Sequence, residues 1–280
     1  MSPWYASAMQ ALVATLGDLV LDVVARMKGP LAAGADTPSA ITLSAGGQAA
    51  NVAAWVAALG GRARYIGRRA DDLAGALVRA ELEGRGVELA GPVSATGTGV
   101  LVSLVDQSGE RSMLPDRGAA IQLTADDVEV AWLEGATHLH VSGYALFALP
   151  VREAAQRLVA HAHDAGIAVS LDLASWSEIK ATGPNVVRRL VDDLRPAVVF
   201  ANEDETAAVG GVLDGPLWIL KEGALGCAFG DDERAALPVP EVLDTTGAGD
   251  ALAAGWLVGG PELALAAAAR CVQTVGAMPP

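Results

Sequence analysis

The stretch Asp244-Thr-Thr-Gly-Ala-Gly-Asp250 is the most informative part of the chain, and it runs directly into the apolar segment 251–258. Its two glycines let the backbone approach a ligand closely, and a helix that starts here aims free N–H groups at the same point. The pattern therefore predicts an anion site suited to phosphate. Asp250 lies where the anion would bind, which is unfavourable unless its carboxylate accepts a proton from an attacking hydroxyl. A Gly-rich turn in which Asp250 only caps the helix is the competing interpretation, and the stretch alone leaves both open.

Around this stretch, helical segments alternate with short β-rich runs over most of the chain. We predict helices over 71–83, 151–164 and 185–194, over 51–59 before them and from 203 after them, and strands over 64–67, 138–142, 167–173, 197–201 and 217–221. Such alternation is typical of a sheet covered by helices on both faces. The strands are rich in Val, Leu and Ile, as expected when both faces are buried. The sequence therefore predicts an α/β fold with a doubly wound, mostly parallel sheet.

Two segments, about 19–45 and 96–119, break the alternation with strand-like patterns and turn residues but no helix. In the second segment, two β-rich runs flank Asp106-Gln-Ser-Gly109, which predicts a hairpin. We expect the two segments to form a small β-layer that projects from the α/β body as a lid over a cleft. Since no repeat or low-complexity linker occurs, residues 1–280 are predicted to form a single domain with this lid inserted.

Composition limits the partners of the protein. The chain has 33 acidic and 19 basic residues among 280, a net charge of −14, which disfavours nucleic acid and anionic membrane surfaces as partners. Hydrophobic residues make up 52%, enough for a large core and too many for disorder. No stretch has the ~20 uninterrupted apolar residues of a spanning helix, and the N-terminus lacks a basic region typical of signal peptides. Cys227 and Cys271 are expected to be core thiols, so we predict a cytoplasmic protein.

The stretch 244–250 resembles the C-terminal signature of the ribokinase-like (PfkB) carbohydrate kinase family, and Gly46-Gly-Gln-Ala-Ala-Asn51 resembles its N-terminal Gly-Gly-x-x-x-Asn signature. Three further segments follow in the family's order: Gly17-Asp18 through Asp22, Asn202-Glu-Asp-Glu205 and Lys221-Glu-Gly-Ala-Leu-Gly226. The resemblance covers about residues 16–280. It implies a ribokinase-like fold and an ATP-dependent kinase that transfers the γ-phosphoryl group to a primary hydroxyl of a small sugar.

The resemblance also implies roles for single residues. Asp250 is expected to be the catalytic base, with an anion hole formed by the N–H groups of Gly247, Ala248 and Gly249. Nucleotide contacts are implied at Asn202, Lys221, Gly223, Gly226, Thr246 and Gly249. Glu205 is expected to hold Mg²⁺ largely through water, which suits an ion that keeps much of its hydration shell. Asp244 and Thr246 are the implied position of a monovalent cation such as K⁺.

Sugar contacts are implied at Asp22, Gly46, Gly47 and Asn51. An Asp and an Asn can bind vicinal hydroxyls, and paired glycines let a sugar ring lie against the backbone. From the residues alone, Asp22 could instead be an acid at a strand end, and Asn51 a helix cap. By the same reasoning Glu205 could be a solvated acid in the first turn of a helix.

The sequence departs from the family in ways that leave the substrate open. Many members carry Asp-x-Asn-x-Arg after the middle strand, whereas Asp172-Leu-Ala-Ser175 keeps only the Asp, which disfavours acidic sugars. Arg111 and Arg117 fall in the predicted lid and could reach a substrate. For Arg111 we favour a solvated residue on the sheet edge, and Arg117 stays open.

Two other functions remain as alternatives. One is a nucleoside kinase of the same family, and the other is a catalytically inactive regulator that binds a sugar or a nucleotide. The intact Asp250 and Gly-rich turn disfavour the regulator. Neither the phosphorylated sugar nor its reacting carbon is specified by the sequence. Some relatives pair through the lid, so a homodimer formed through the hairpin edge is a further expectation.

Overall fold

The computed structural model describes residues 11–280, so the first ten residues of the predicted domain lie outside the described part. Its strands are β1 (Leu12–Leu16), β2 (Val20–Met27), β3 (Ser39–Gly46), β4 (Arg62–Ile66), β5 (Arg69–Ala70), β6 (Glu88–Ala90), β7 (Val93–Ser94), β8 (Thr98–Val105), β9 (Arg111–Gly118), β10 (Ala136–Ser142), β11 (Ala168–Asp172), β12 (Val198–Asn202), β13 (Leu217–Lys221), β14 (Gly226–Phe229) and β15 (Asp232–Ala235). Its helices are α1 (Gln48–Ala58), α2 (Leu73–Gly84), α3 (Val151–Asp164), α4 (Trp176–Thr182), α5 (Pro184–Leu194), α6 (Glu203–Val209), α7 (Ala248–Gly259) and α8 (Pro261–Cys271).

A nine-stranded sheet forms the centre of the molecule, in the order β15-β14-β13-β12-β11-β10-β1-β4-β6. The strands from β13 to β6 run parallel, and β14 and β15 extend the sheet as antiparallel strands. Alternate residues of β12 enter two different cores: Val198 and Phe200 pack with α1, α7 and α8, whereas Val199 and Ala201 pack with α3 and α5. Both faces are therefore buried, and the predicted doubly wound, mostly parallel α/β fold is confirmed.

Two helices begin earlier than the sequence suggested. Helix α1 starts at Gln48 after Gly47, and α7 starts at Ala248 after Gly247, with φ angles of 97° and 77° at the two glycines. L-residues rarely adopt such angles, so glycine is the residue that permits these abrupt helix starts. As a result Asn51 and Asp250 lie inside the first helical turns. The interpretation of either side chain as a helix cap is wrong.

The predicted lid segments form a separate four-stranded sheet in the order β3-β2-β8-β9, which we call the small sheet. Strands β2 and β8 are parallel, and the two outer pairs are antiparallel. The predicted hairpin is β8 and β9, whose strands flank residues 106–110. Among residues 11–280, no helix combines the length and apolar character needed to cross a membrane.

Candidate active site

Three neighbouring parallel strands end at the same edge of the main sheet, where they bring Asp172, Asn202 and Lys221 together. The Lys221 Nζ atom lies 3.1 and 2.8 Å from the two carboxylate oxygens of Asp172, which is 1% exposed. It also lies 3.9 Å from Glu205 Oε2. Burial alone would lower the pKa of Lys221, but the carboxylates of Asp172 and Glu205 raise it above its ordinary value. The ammonium group therefore stays charged.

Lys221 also lies directly beneath the Gly-rich turn. A Cβ atom at Gly249 would be 3.4 Å from its Nζ atom, so the ammonium lies within contact distance of the turn. Its ammonium forms buried ion pairs beside the turn, and the nucleotide contact expected of Lys221 stays a prediction. From the sequence, Asp172 is recognised only as the part of a longer motif that this chain keeps. Its position at the end of a buried parallel strand is the feature of the sequence that could have placed it in the site.

Asn202 and Glu205 form a reciprocal cap at the start of α6. The Glu205 N–H donates to Asn202 Oδ1 at 2.8 Å, and the Asn202 N–H donates to Glu205 Oε2 at 2.9 Å. Glu205 is only 4% exposed, so its interpretation as a solvated acid is wrong. Burial raises the pKa of its carboxyl group, and the nearby Lys221 charge opposes the rise.

The carboxylate of Asp250 lies in the first turn of α7 and is held by one amide. Asn51 Nδ2 donates to Asp250 Oδ2 at 2.8 Å, which joins the two sequence motifs across 199 residues. Burial raises the pKa of Asp250 to about 7, the hydrogen bond from Asn51 opposes the rise, and the charge of Asp172 adds to it. A carboxylate with a pKa near neutrality is well placed to accept a proton.

The N–H groups predicted as the anion hole lie at the start of the same helix. The Ala248 N–H makes a long contact of 3.3 Å with the Thr245 carbonyl oxygen, and the Ala251 N–H closes the first turn on Gly247. A Cβ atom at Gly247 would lie 2.6 Å from the Cα atom of Ala277, so the turn admits no side chain there. This geometry positions the early N–H groups of the helix beside Asp250.

Asp22 and the two glycines at the end of β3 form a second group of polar atoms. A Cβ atom at Gly46 would lie 2.2 Å from the carboxylate carbon of Asp22, and one at Gly47 would lie 2.4 Å from the Asp18 carbonyl oxygen. Burial and the charge of Glu81 raise the pKa of Asp22 to about 7. Asp22 Oδ1 and Asn51 Oδ1 are both buried without a hydrogen-bond partner. Buried acceptors of this kind normally have donors, so both are available to hydroxyl groups of a ligand.

An apolar cavity of about 430 Å³ opens beside the Gly-rich turn. Gly223 and Gly226 line it, together with Ala224, Ala236, Leu237, Val239, Val242, Thr245, Ala248, Leu252, Leu265, Ala268, Ala269 and Val272. The backbone also requires glycine at position 226, because the φ angle there is 125° and a Cβ atom would lie 2.0 Å from the Arg234 carbonyl oxygen. Most of the lining residues belong to no sequence motif, so the sequence alone could not identify them as part of a cavity.

Asp244 and Thr246, the implied position of a monovalent cation, are in contact with Arg111. Its Nη2 atom donates to Asp244 Oδ1, and its Nη1 atom donates to Thr246 Oγ1. Arg26 Nη2 lies 3.7 Å from Asp244 Oδ2. Although burial alone would raise it, hydrogen bonds from Thr246 and Gly276 and the charge of Arg111 hold the pKa of Asp244 below its ordinary value. The interpretation of Arg111 as a solvated edge residue is wrong.

A second ion pair joins the small sheet to the turn between β1 and β2. The Nε and Nη2 atoms of Arg117 donate to the two carboxylate oxygens of Asp18 at 2.6 and 2.8 Å. Arg117 Nη2 also donates to the Tyr144 carbonyl oxygen at 3.0 Å. Arg117, whose role the sequence left open, therefore forms an internal ion pair with Asp18.

Known proteins resemble this chain in sequence and in fold. The model of the pfkB family carbohydrate kinases matches residues 10–278. An ATP-dependent ribose-1-phosphate kinase of Halopiger xanaduensis is 33% identical over 81% of this chain and 79% of its own length. A fructokinase of Escherichia coli is 32% identical over 90% of this chain and 85% of its own length.

A solved structure of an adenosine kinase from Sinorhizobium meliloti superimposes with a TM-score of 0.83 at 26% identity, over 96% of each chain. These relatives and the structural neighbour are named for different acceptors, so the similarity establishes the family and the fold without specifying the substrate. The chain belongs to the pfkB family of carbohydrate kinases and has the ribokinase-like fold.

Proposed function

We propose that this carbohydrate kinase transfers the γ-phosphoryl group of ATP to a primary hydroxyl of a small sugar, with Asp250 as the base. The observation that carries the proposal is the pairing of Asp250 with Asn51 at the start of α7, because it places a carboxylate of pKa about 7 beside the first N–H groups of that helix. An acceptor for a proton and a binding site for phosphate are the two elements that phosphoryl transfer needs.

The acceptor sugar is proposed to bind between Asp22 and Asn51. The unpaired acceptor atoms of both residues suit hydroxyl donors, and Gly46 and Gly47 leave the backbone open to the sugar ring. Because Asp22 has a raised pKa, it can accept a hydroxyl hydrogen bond when ionised and donate one when protonated. The small sheet, which contains β2 and β3, is proposed to be the lid over this pocket.

The adenine ring is proposed to occupy the apolar cavity lined by Ala224, Leu237, Val242 and residues of α8. A flat heterocycle fits an aliphatic cleft of this kind. A Cβ atom at Gly223 would have no other atom within 4 Å, so this residue leaves room for the nucleotide at the mouth of the cavity. The phosphates would then extend along the Gly-rich turn, past Thr246 and Gly249, towards Asn202 and Lys221.

Mg²⁺ is proposed to arrive with ATP and to be held by Glu205 through water. No group of three or more Asp, Glu, His or Cys side chains suited to a metal occurs in the described part of the chain. Both carboxylate oxygens of Glu205 already accept hydrogen bonds from Asn202. Their remaining lone pairs therefore suit hydrogen bonds from metal-bound water better than direct coordination of the ion. This arrangement suits Mg²⁺, which keeps most of its water ligands and binds phosphate oxygens, and which would neutralise phosphate charge.

The proposed reaction uses these residues as follows. Asp250 accepts the proton of the sugar hydroxyl, the freed oxygen bonds to the γ-phosphorus atom, and the bond to the β-phosphate oxygen breaks to release ADP. The N–H groups of Gly247, Ala248 and Gly249 are proposed to stabilise the charge on the transferred group. The ammonium of Lys221 lies beneath the same turn and contributes positive charge without leaving its carboxylate partners.

We also propose that residues 1–280 act as one folding unit and that two copies pair through the small sheet. The two edge strands of this sheet carry large apolar residues that are 46–62% exposed: Ile41 and Leu43 on β3, and Met113 and Leu114 on β9.

Cys227 and Cys271 are buried free thiols, which fits the proposed cytoplasmic location. The acidic charge gives no reason to expect a nucleic acid or membrane partner.

The test is a coupled ADP-release screen over pentoses, hexoses, sugar 1-phosphates, keto-sugar acids and nucleosides. We expect turnover with a neutral sugar and none without an acceptor. Preferred turnover of nucleosides would replace the sugar by a nucleoside and leave the chemistry of Asp250 in place. Absence of turnover with every acceptor would contradict the proposal.

A further inference from the structure

Arg26 and Arg111 belong to one row of residues across the small sheet. Arg26 of β2 is in register with Val105 of β8, and Val105 is in register with Arg111 of β9. Residues in register on neighbouring strands point to the same face of a sheet. Val105 is 3% exposed, so this is the face turned towards the protein interior. The two arginines therefore leave the same face, one on each side of a buried valine.

Both guanidinium groups converge on Asp244, whose carboxylate is already well supplied with donors. Oδ1 accepts hydrogen bonds from the Thr246 N–H at 2.8 Å and from Arg111, and Oδ2 accepts one from the Gly276 N–H at 3.1 Å and lies near Arg26. The Asp244 side chain is only 5% exposed. The Asp244 carboxylate is therefore shielded from solvent where it joins the small sheet, through Arg111, to the Gly-rich turn.

These residues do not fit the monovalent cation that the family resemblance implies. Such an ion needs open oxygen ligands, whereas the Asp244 carboxylate and the Thr246 hydroxyl are engaged by Arg111. Binding of K⁺ would require displacement of a guanidinium group that carries the same charge. An arginine keeps its charge at every working pH, so the position is already permanently cationic.

We propose that the guanidinium group of Arg111 takes the place of a monovalent cation behind the anion hole, with Arg26 as a weaker second charge. Arg111 is then a positioning residue: it holds Asp244 and Thr246, and Thr246 directly precedes Gly247. A fixed positive charge behind the turn reinforces the backbone dipoles that face the phosphate. This inference rests on the proposed function for its catalytic consequence.

The source of the charge gives the arrangement a further property. A bound ion would stay with the Gly-rich turn, whereas Arg111 is carried by the small sheet. The turn gains this charge only when the small sheet lies against the body of the protein. Closure over the acceptor and completion of the anion hole are thereby coupled through one side chain.

The test compares K⁺ with tetramethylammonium, both as chlorides at equal ionic strength, in the 280-residue chain. We expect wild-type turnover to be the same in both salts. Arg111→Met keeps the aliphatic stem and loses the charge, so its kcat should fall by ~10- to 100-fold and be partly restored by K⁺. Arg111→Lys should keep most of the activity. Arg189→Ala, which removes an exposed arginine of α5, is the matched control and should show neither effect.

A second readout needs no turnover. The Tm of Arg111→Met should rise in K⁺ relative to tetramethylammonium, and the Tm of the wild type should not change. A wild-type enzyme that requires K⁺, or an Arg111→Met variant that responds to K⁺ in neither turnover nor Tm, would overturn the inference. Because the Tm comparison is independent of catalysis, it still decides the inference if no acceptor is phosphorylated and the proposed function fails.

Discussion

The hydrogen bond from Asn51 to Asp250 should set the acid limb of the pH–rate profile. With a pKa of about 7, half of the Asp250 side chains are ionised near pH 7, and turnover should fall about tenfold between pH 8 and pH 6. An ordinary carboxyl group with a pKa of 3.8 would be fully ionised over that range. Replacement of Asn51 by Leu removes the amide donor and approximately keeps the side-chain volume.

The size of the effect follows from the strength of that bond. A hydrogen bond to a charged group contributes about 1.5–3 kcal/mol, and one pKa unit corresponds to about 1.4 kcal/mol, so its loss should raise the pKa of Asp250 by about one to two units. The ionised fraction at pH 7 would then drop from about half to between ~9% and ~1%, and kcat would fall about 5- to 50-fold. Near pH 9 the variant should recover to within about twofold of the wild type.

The measurement is kcat at saturating acceptor and ATP across this pH range, since loss of Asn51 also removes a proposed sugar contact and should raise KM. Asn185→Ala, at an exposed position of α5, is the matched control for loss of an amide. A deficit of the same size at every pH would show that Asn51 only positions groups. An acid limb that stays where the wild type has it would refute the electrostatic reasoning.

Other variants test the surrounding site. The pKa of Asp22 is raised from 3.8 to about 7, so its ionisation destabilises the fold progressively as the pH rises through that interval. Asp22→Asn should therefore raise Tm near pH 8 and leave it unchanged near pH 4. Equal shifts in Tm at both pH values would contradict this. Gly46→Ala forces a methyl group onto the Asp22 carboxylate and should lower Tm and raise the sugar KM. Gly84→Ala, at the end of α2 with no atom near its Cβ position, should leave KM unchanged and should not lower Tm, because alanine favours a helix more than glycine does. Lys221→Met leaves Asp172 buried without its cation and should cost about 3–5 kcal/mol of unfolding free energy in denaturant titrations, so an unshifted midpoint would disprove the ion-pair assignment.

The fold was largely predictable because its signals are local. Helix α3 and strand β13 have the predicted bounds, since periodicity, flanking glycines and short Val- and Leu-rich runs mark such elements directly. The starts of α1 and α7 were missed by three residues each, because a glycine with positive φ can begin a helix without a capping side chain. The small sheet was predictable from turns and alternation alone.

The site was only partly predictable, because much of it depends on strand order. Asp172 and Lys221 lie on strands two apart in the sheet, and their ion pair follows from the neighbours β11, β12 and β13, an order that one sequence does not specify. Arg111 sits on an edge strand, where alternation alone does not show what faces its side chain. Its partner Asp244 is 133 residues away, and only the docking of the small sheet brings them together.

The proposed chemistry depends above all on Asp250 as the proton acceptor in phosphoryl transfer, and Asp250→Asn is the decisive substitution. It keeps the shape of the side chain and removes its basicity. Turnover with the best acceptor of the ADP-release screen should fall by ~10²- to 10⁴-fold, with an unchanged Kd for the sugar by calorimetry. Near-normal turnover of Asp250→Asn would contradict the assignment of Asp250 as the base.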